Sequence, residues 1–243
     1  MKIVVTSDWH LDAMTDGVQR SVEIERLVDH SVMVAIEEQA SLYIFAGDLC
    51  NPDGWNAIRA MAKSIDVALK LNEHDIPSVW VAGNHDVLED GLGTTTLTPL
   101  VAADVAMHVF EQPGEIVFSG NIRNKLNVRI VGLPFTPSSH KYDPETTVRK
   151  MSRMKLGEPT LVIGHLNLKG ISAGSETKEL ARGREVYWPV DAIKKKWPGC
   201  VMIGGHYHYA QEYEDVHIVG SLARLRHDEE DHDPSIMILN LEA

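Results

Sequence analysis

Cysteine is nearly absent. Cys50 and Cys200 are the only two in 243 residues, too few and too far apart for a disulfide framework or a thiolate zinc site. Long apolar runs are missing as well: none approaches the roughly 18 residues that a membrane span requires. The first carboxylate, Asp8, comes too early for a secretory signal. Positive charge is scarce, with 23 Lys and Arg against 35 Asp and Glu and a formal charge of −12. That balance excludes a general polyanion binder when the chain is taken whole. There is no internal repeat, low-complexity tract or obvious linker. What remains, 44% apolar and 24% charged residues, is an ordinary globular mixture. A single cytoplasmic domain over residues 1–243 is expected.

The charge is unevenly placed. Residues 121–196 hold 15 Lys and Arg against 7 Asp and Glu, a basic middle within an acidic whole. Solvated helix faces explain such a cluster, and so does an electropositive face for an anionic substrate.

Short runs rich in β-branched residues recur at 2–7, 42–46, 78–82, 128–133, 160–163 and 200–203, each stopped by glycine or polar residues. They read as strands buried on both faces. Helical patterns separate the first three. Ile58, Met61, Ala62, Ile65, Ala68 and Leu69 keep the i, i+3, i+4, i+7 spacing of one buried face, and Val18, Val22, Leu27, Val28, Ala35 and Ile36 do so less strictly. Alternation of strand and helix predicts a largely parallel sheet there. From Ala106 onward strands crowd together, at 106–110, 115–118 and 128–133, which suggests a second sheet with antiparallel pairs. Residues 235–241 read as a last strand, and 91–96 and 169–185 as surface loops. The expected architecture is α/β, two mixed sheets packed face to face and flanked by helices.

Five of the runs end in residues able to hold a metal ion. Asp8 and His10 follow the first, Gly47-Asp48 the second, and Gly83-Asn84-His85-Asp86 the third; Gly164-His165 and Gly204-Gly205-His206-Tyr207-His208 close the last two. Carboxyl ends of strands in α/β sheets are where ligands bind, and glycines there permit tight turns and close approach. Taken singly, each element has a plain explanation: a capping Asp, a β-turn, an ordinary histidine near a strand end. Taken together, two Asp, one Asn and four His occupy the same place after five strands. Seven oxygen and nitrogen donors exceed the four of a structural zinc. They suit two divalent ions about 3.5–4 Å apart.

At these residues the sequence resembles the calcineurin-like metallophosphoesterases, whose D-x-H, GD, GNH, GH and GHxH motifs are met in order by Asp8/His10, Gly47/Asp48, Gly83/Asn84/His85, Gly164/His165 and Gly205/His206/His208. The resemblance implies an αββα sandwich. It implies one ion held by Asp8, His10, Asp48 and His208 and a second by Asp48, Asn84, His165 and His206, with Asp48 bridging. Mn²⁺ is the expected metal, with Fe²⁺, Zn²⁺ and Mg²⁺ as alternatives. His85 would act on the phosphate as a catalytic residue, its ring oriented by Asp86, while a hydroxide between the cations attacks phosphorus.

Within that superfamily the GDxxDRG and GNHE patterns of the protein phosphatases are missing. The sequence is more similar to the SbcD-type nuclease subunit of double-strand-break repair. His165 to Gly170 with Ser175-Glu176, and Gly220 to Leu225 with Glu229-Glu230, look like segments of that branch. Two departures stand out. Asn51 replaces the histidine that helps the branch orient a DNA end, and with Ala243 coming just after the expected last strand the sequence looks like a minimal catalytic core, lacking the region that caps DNA and the helices that grip an SMC-like ATPase partner. The implied activity is phosphodiester hydrolysis, with a DNA nuclease first and a phosphodiesterase for a small or cyclic nucleotide second. A non-catalytic scaffold stands third, because such relatives lose ligands that are intact here. The implied partners are a nucleic acid or nucleotide substrate, the ATPase, and a second copy in a homodimer; no membrane contact is implied. Candidate substrate contacts are Asn51, Trp9, Tyr207, Arg182 and Arg184. Trp9 and Tyr207 have core packing as an equal explanation. Cys50 reads as a buried spacer, and His217, His227 and His232 as surface residues.

Overall fold

The computed structural model describes residues 1–88, 93–120, 126–135, 143–152, 159–165, 167–168, 187–213 and 215–241. In chain order, β1 (Lys2–Thr6) leads through a small hairpin, β2 (Met14–Thr15) and β3 (Val18–Gln19), into α1 (Ser21–Glu37). Then come β4 (Leu42–Phe45), α2 (Ala57–Glu73), β5 (Ser78–Val81), α3 (Thr98–Ala103) and β6 (His108–Phe110). The second half runs β7 (Gly114–Ser119), β8 (Asn127–Leu133), α4 (Pro144–Lys150), β9 (Thr160–His165), α5 (Val190–Lys196), β10 (Val201–Gly205), β11 (Gln211–Tyr213), β12 (Val216–Ile218) and β13 (Met237–Asn240).

Two sheets form. The first has the order β13-β1-β4-β5-β6 and the second β11-β12-β10-β9-β8-β7. Strands β1, β4, β5 and β6 are mutually parallel, and β13 joins β1 antiparallel at the edge. In the second sheet β8, β9, β10 and β12 are parallel, with antiparallel neighbours β7 and β11 at the two edges. Alternate residues of each strand point to opposite faces, and both faces are covered. Ile3, Val5, Ile44, Val79 and Val81 of the first sheet meet Val128, Ile130, Leu161, Ile163 and Ile203 of the second in one core. The outer face of the first sheet, with Val4, Tyr43, Phe45 and Trp80, packs on α1 and α2. That of the second, with Val131, Val162 and Met202, packs on α4 and α5. Each fully buried aliphatic side chain contributes roughly 1.5–3 kcal/mol by removal from water. The result is the expected mixed α/β architecture of two sheets between helices.

Several expectations are corrected. Residues 106–110 yield β6, which extends the first sheet in parallel rather than opening the second. Helix α2 presents a rotated face: Ile58 is 85% exposed and Leu69 47% exposed, while Ala57, Ala60, Ser64, Val67, Ala68 and Leu71 are buried. Small Ala and Ser side chains let the helix lie close against the sheet, so the bulkier Met61 and Ile65 flank the contact. In α1 the buried line is Ile24, Val28, Val32 and Ala35, whereas Val18 sits in β3 and Val22 is exposed. Of the segment expected as a surface loop at 91–96, the described part turns inward, with Thr95 and Thr96 buried. The loop at 169–185 lies outside the described residues, as do many of the bases in 121–196. No helix among the described residues is long and apolar enough to cross a membrane.

Candidate metal centre

The turns that follow β1 and β4 run side by side. Asp8 N–H donates to Gly47 O at 2.9 Å, His10 N–H to Asp48 O at 3.1 Å, and Leu11 N–H to Leu49 O at 2.9 Å. These bonds bring Asp8 and His10 beside Asp48. Asp8, His10, Asp48 and His206 all have positive φ, at 52°, 43°, 63° and 85°. L-residues enter that region at a cost, which the surroundings must over-determine, and such strain gathers at functional sites. Two glycines make the convergence feasible. A Cβ on Gly83 would lie 2.1 Å from Asp48 Oδ1, and one on Gly47 would lie 2.2 Å from His165 Nδ1.

The seven expected ligands converge. Asp48 Oδ2 lies 3.6 Å from His10 Nε2 and 3.3 Å from His165 Nε2, so the carboxylate stands between two groups of donors. On one side, His10 Nε2 and His208 Nε2 face each other at 3.2 Å, with Asp8 in reach of both. On the other, Asn84 Oδ1 lies 2.9 Å from His165 Nε2 and 3.0 Å from His206 Nδ1. Asp8 Oδ1 is buried with no hydrogen-bond partner among the described residues. A buried carboxylate oxygen left without a donor is costly unless a cation supplies the charge. The oxygen and imidazole donors, their spacing and this orphaned oxygen fit a pair of divalent ions of the Mn, Fe or Zn kind.

Charge and burial act strongly on each other here. Burial alone would push the Asp48 carboxyl up, but His165, His85 and His10 outweigh it and hold Asp48 well below the usual carboxylate range. Burial opposes a charge on His165, yet Asp48 and Asp8 raise its pKa to about 10. His10 is lowered well below the ordinary imidazole value, first by burial and then by His85.

Two of these imidazole donors are fixed from behind. His165 Nδ1–H donates to Ala46 O at 2.9 Å, and His208 Nδ1–H donates to Glu229 Oε1 at 2.6 Å, which turns each Nε2 toward the centre. Glu229 is fully buried and its other oxygen accepts from Leu225 N–H at 2.6 Å. Ser221 N–H donates to His208 O at 3.0 Å, so the segment from 220 to 229 is the bed on which His208 rests. We expect Glu229→Gln to weaken binding at the His208 side by about tenfold, the lower part of the range for such outer partners. Titration calorimetry with Mn²⁺ checks it; unchanged affinity would contradict this role.

Other expectations change. Asp86 does not touch the His85 ring. Its carboxylate accepts from Gly83 N–H at 2.8 Å, Asp48 N–H at 2.9 Å, Leu49 N–H at 2.9 Å and Thr96 O–H at 2.5 Å. It shapes the turns rather than the reaction, and burial followed by the Asp48 charge raises its pKa. The ring of His85 is met instead by Asn51, with Nδ1 and Oδ1 2.8 Å apart. Trp9 is wholly buried, stacked edge-on against Phe45 and Trp80, and donates from Nε1 to Thr6 Oγ1 at 3.0 Å. Tyr207 is equally buried, and its hydroxyl accepts from Leu168 N–H at 2.8 Å. Neither lines a cleft. Arg182 and Arg184 lie outside the described residues. Cys50 is a buried spacer, its thiol pushed up by burial and by neighbouring Asp86. His227 is exposed and His217 half-buried, but His232 is buried against Ser221.

Comparison with known proteins bears on sequence family and on fold. The family described as calcineurin-like phosphoesterase matches residues 1–210. A curated relative, the SbcD subunit of the SbcCD nuclease from Staphylococcus saprophyticus, is 34% identical over 91 residues, which is 37% of this chain and 24% of that one. The match therefore spans about a quarter of that protein's length. Among solved structures, a dimetal phosphatase from Danio rerio superposes with a TM-score of 0.51 at 13% identity, covering 91% of this chain and 87% of the other. A Thermus thermophilus protein, TT1561, gives 0.51 at 14% identity over 90% and 89% of the two chains. These likenesses concern the fold.

Proposed function

The chain belongs to the calcineurin-like phosphoesterases, and from that premise we propose that it hydrolyses phosphodiester bonds of nucleic acid as a nuclease, with two divalent cations, Mn²⁺ first among them, as cofactors. The observation that carries this reading is the position of Asp48 between His10 and His165, with Asp8, Asn84, His206 and His208 completing the two donor groups. Two cations held there would draw charge from phosphoryl oxygens and lower the pKa of water from ~15.7 toward ~7, giving a nucleophile at neutral pH. The ring of His85 lies edge-on to His10, with centroids 4.9 Å apart. Its Nε2 is buried with no hydrogen-bond partner among the described residues. A nitrogen so placed would hydrogen-bond the phosphate or pass a proton to the leaving oxygen.

The nuclease reading draws support from the partial match to the SbcCD subunit and from the basic stretch at 121–196. An SMC-like ATPase partner, a homodimer, a cytoplasmic location and a single catalytic domain over 1–243 belong to the same proposal. The net charge of −12 favours a second reading, a small or cyclic nucleotide as substrate, since an acidic surface repels a polyanion. Linear DNA, circular single-stranded DNA and a cyclic nucleotide, assayed side by side with Mn²⁺, separate the two. The expected result is cleavage of DNA that falls by about tenfold or more between 50 and 200 mM salt, as phosphate contacts lose their counterion advantage. Consumption of the cyclic nucleotide alone, without salt dependence, would overturn the nuclease reading.

A further inference from the structure

His85 is held by a chain of hydrogen bonds that crosses three loops. Asn51 Oδ1 lies 2.8 Å from His85 Nδ1. On the other side of the same amide, Asn51 Nδ2 donates to Asp12 Oδ2 at 2.7 Å, and the backbone N–H of Asn51 donates to that oxygen at 3.2 Å. Asp12 lies two residues beyond His10 and Asn51 three beyond Asp48, so the chain starts from the same two turns that present the donors.

The chemistry of this chain leaves one arrangement. An ionised carboxylate only accepts hydrogen bonds, and an amide has one accepting and one donating end. Were the Asn51 amide reversed, its oxygen would face Asp12 Oδ2 and its NH₂ would face His85 Nδ1. The carboxylate thus dictates that the oxygen turns to the imidazole. An oxygen there requires Nδ1 to carry a proton, and a neutral ring protonated at Nδ1 has its lone pair at Nε2. That is the nitrogen with no hydrogen-bond partner among the described residues.

We propose that Asp12 and Asn51 are positioning residues that fix the ring orientation and the Nδ1–H tautomer of His85, so that Nε2 is presented to the phosphodiester. The proposal rests on the phosphoesterase reading for what Nε2 does and on the hydrogen bonds alone for how it is held. It differs from a carboxylate bonded directly to imidazole, because the intervening amide transmits direction without placing a negative charge on the ring.

The test uses Asp12→Asn and Asn51→Leu beside the wild-type protein. Asn at 12 can accept or donate, so the Asn51 amide is released from its single orientation, while the size of the side chain is kept. In the metal-free protein, ¹⁵N NMR of the imidazoles is expected to show a pyrrole-type Nδ1 and a pyridine-type Nε2 for His85. Asp12→Asn should mix the tautomers, and Asn51→Leu should abolish the preference. With Mn²⁺, kcat on a dinucleotide is expected to fall about 10- to 100-fold in Asn51→Leu, since orienting the group that acts is a large part of acid–base catalysis. KM should stay within about threefold, with bound metal unchanged. Wild-type tautomer and wild-type kcat in both variants would overturn the proposal. A lower kcat with an unaltered tautomer would also overturn it, because the pair would then serve only to tie loops together. Wild-type protein inert on every diester despite bound Mn²⁺ would refute the phosphodiesterase reading instead, and the tautomer comparison would still decide the positioning role.

Discussion

Asp48→Ala should empty both halves of the centre at once. The Asp48 carboxylate is the group that both halves share, 3.6 Å from His10 Nε2 and 3.3 Å from His165 Nε2, while its Oδ1 accepts the backbone N–H of His85 at 2.9 Å. Two divalent ions a few ångströms apart repel each other strongly, and a bridging negative charge is what makes their separation tolerable. Partners that merely orient a ligand are worth about 10–100-fold in metal affinity; removing the bridge itself should cost more, so hydrolysis is expected to drop by at least about 10³-fold. Metal content by mass spectrometry should fall from two ions toward none. The stabilisation expected from Mn²⁺ in the wild type, about 2.7 kcal/mol per site at a hundredfold excess over Kd, should vanish from thermal melts. Asp48→Asn serves as the companion variant because it keeps the volume and the hydrogen bond from His85 N–H. Two ions retained by either variant, with activity within tenfold of wild type, would show that Asp48 does not bridge.

Much of this candidate centre is legible in the sequence because the expected ligands obey a positional rule. Parallel strands end at one edge, and residues placed just past those ends are neighbours however far apart they lie in the chain. The runs ending at Asp8, Asp48, Asn84, His165 and His206 therefore point to one location. The strands themselves are legible from burial on both faces, which leaves continuous apolar runs. Legibility fails where contacts depend on which side of the backbone a residue falls. Trp9 lies between Asp8 and His10, and Tyr207 between His206 and His208. Both rings lie in the core, and strand alternation does not reveal it, because these residues lie past the ends of β1 and β10 in turns of positive φ. Asp86 follows His85 directly, yet the single helical turn at Asn84–Asp86 returns its carboxylate to the backbone of Gly83, Asp48 and Leu49. Asp12 and Glu229 escape notice as supporting residues for a related reason. Their partners, Asn51 and His208, lie 39 and 21 positions away, and no periodicity connects them. Helix α2 misleads because apolar spacing marks where large side chains lie, whereas close packing on a sheet selects small ones.

His85→Ala should separate catalysis from metal binding. Both nitrogens of its ring are accounted for without an ion: Nδ1 belongs to Asn51, and Nε2 is the nitrogen that the proposed chemistry needs. The contact that ties this residue to the donor set is its backbone N–H to Asp48 Oδ1 at 2.9 Å, which alanine keeps. Two bound ions are therefore expected in the variant, with affinity little changed. Hydrolysis of a dinucleotide should fall by about 10²–10⁴-fold, the usual worth of a positioned acid or base. The loss should be smaller for bis(p-nitrophenyl) phosphate, whose leaving group departs without a proton. A competing geometry exists, since ring nitrogens of His10 and His85 and an oxygen of Asp48 all lie within 4.8 Å of one another. Were His85 a ligand in that group, the variant would lose an ion along with activity, and the two substrates would suffer alike. Retained ions with unequal losses on the two substrates would instead place His85 at the leaving oxygen, and retained activity on both would remove it from the reaction.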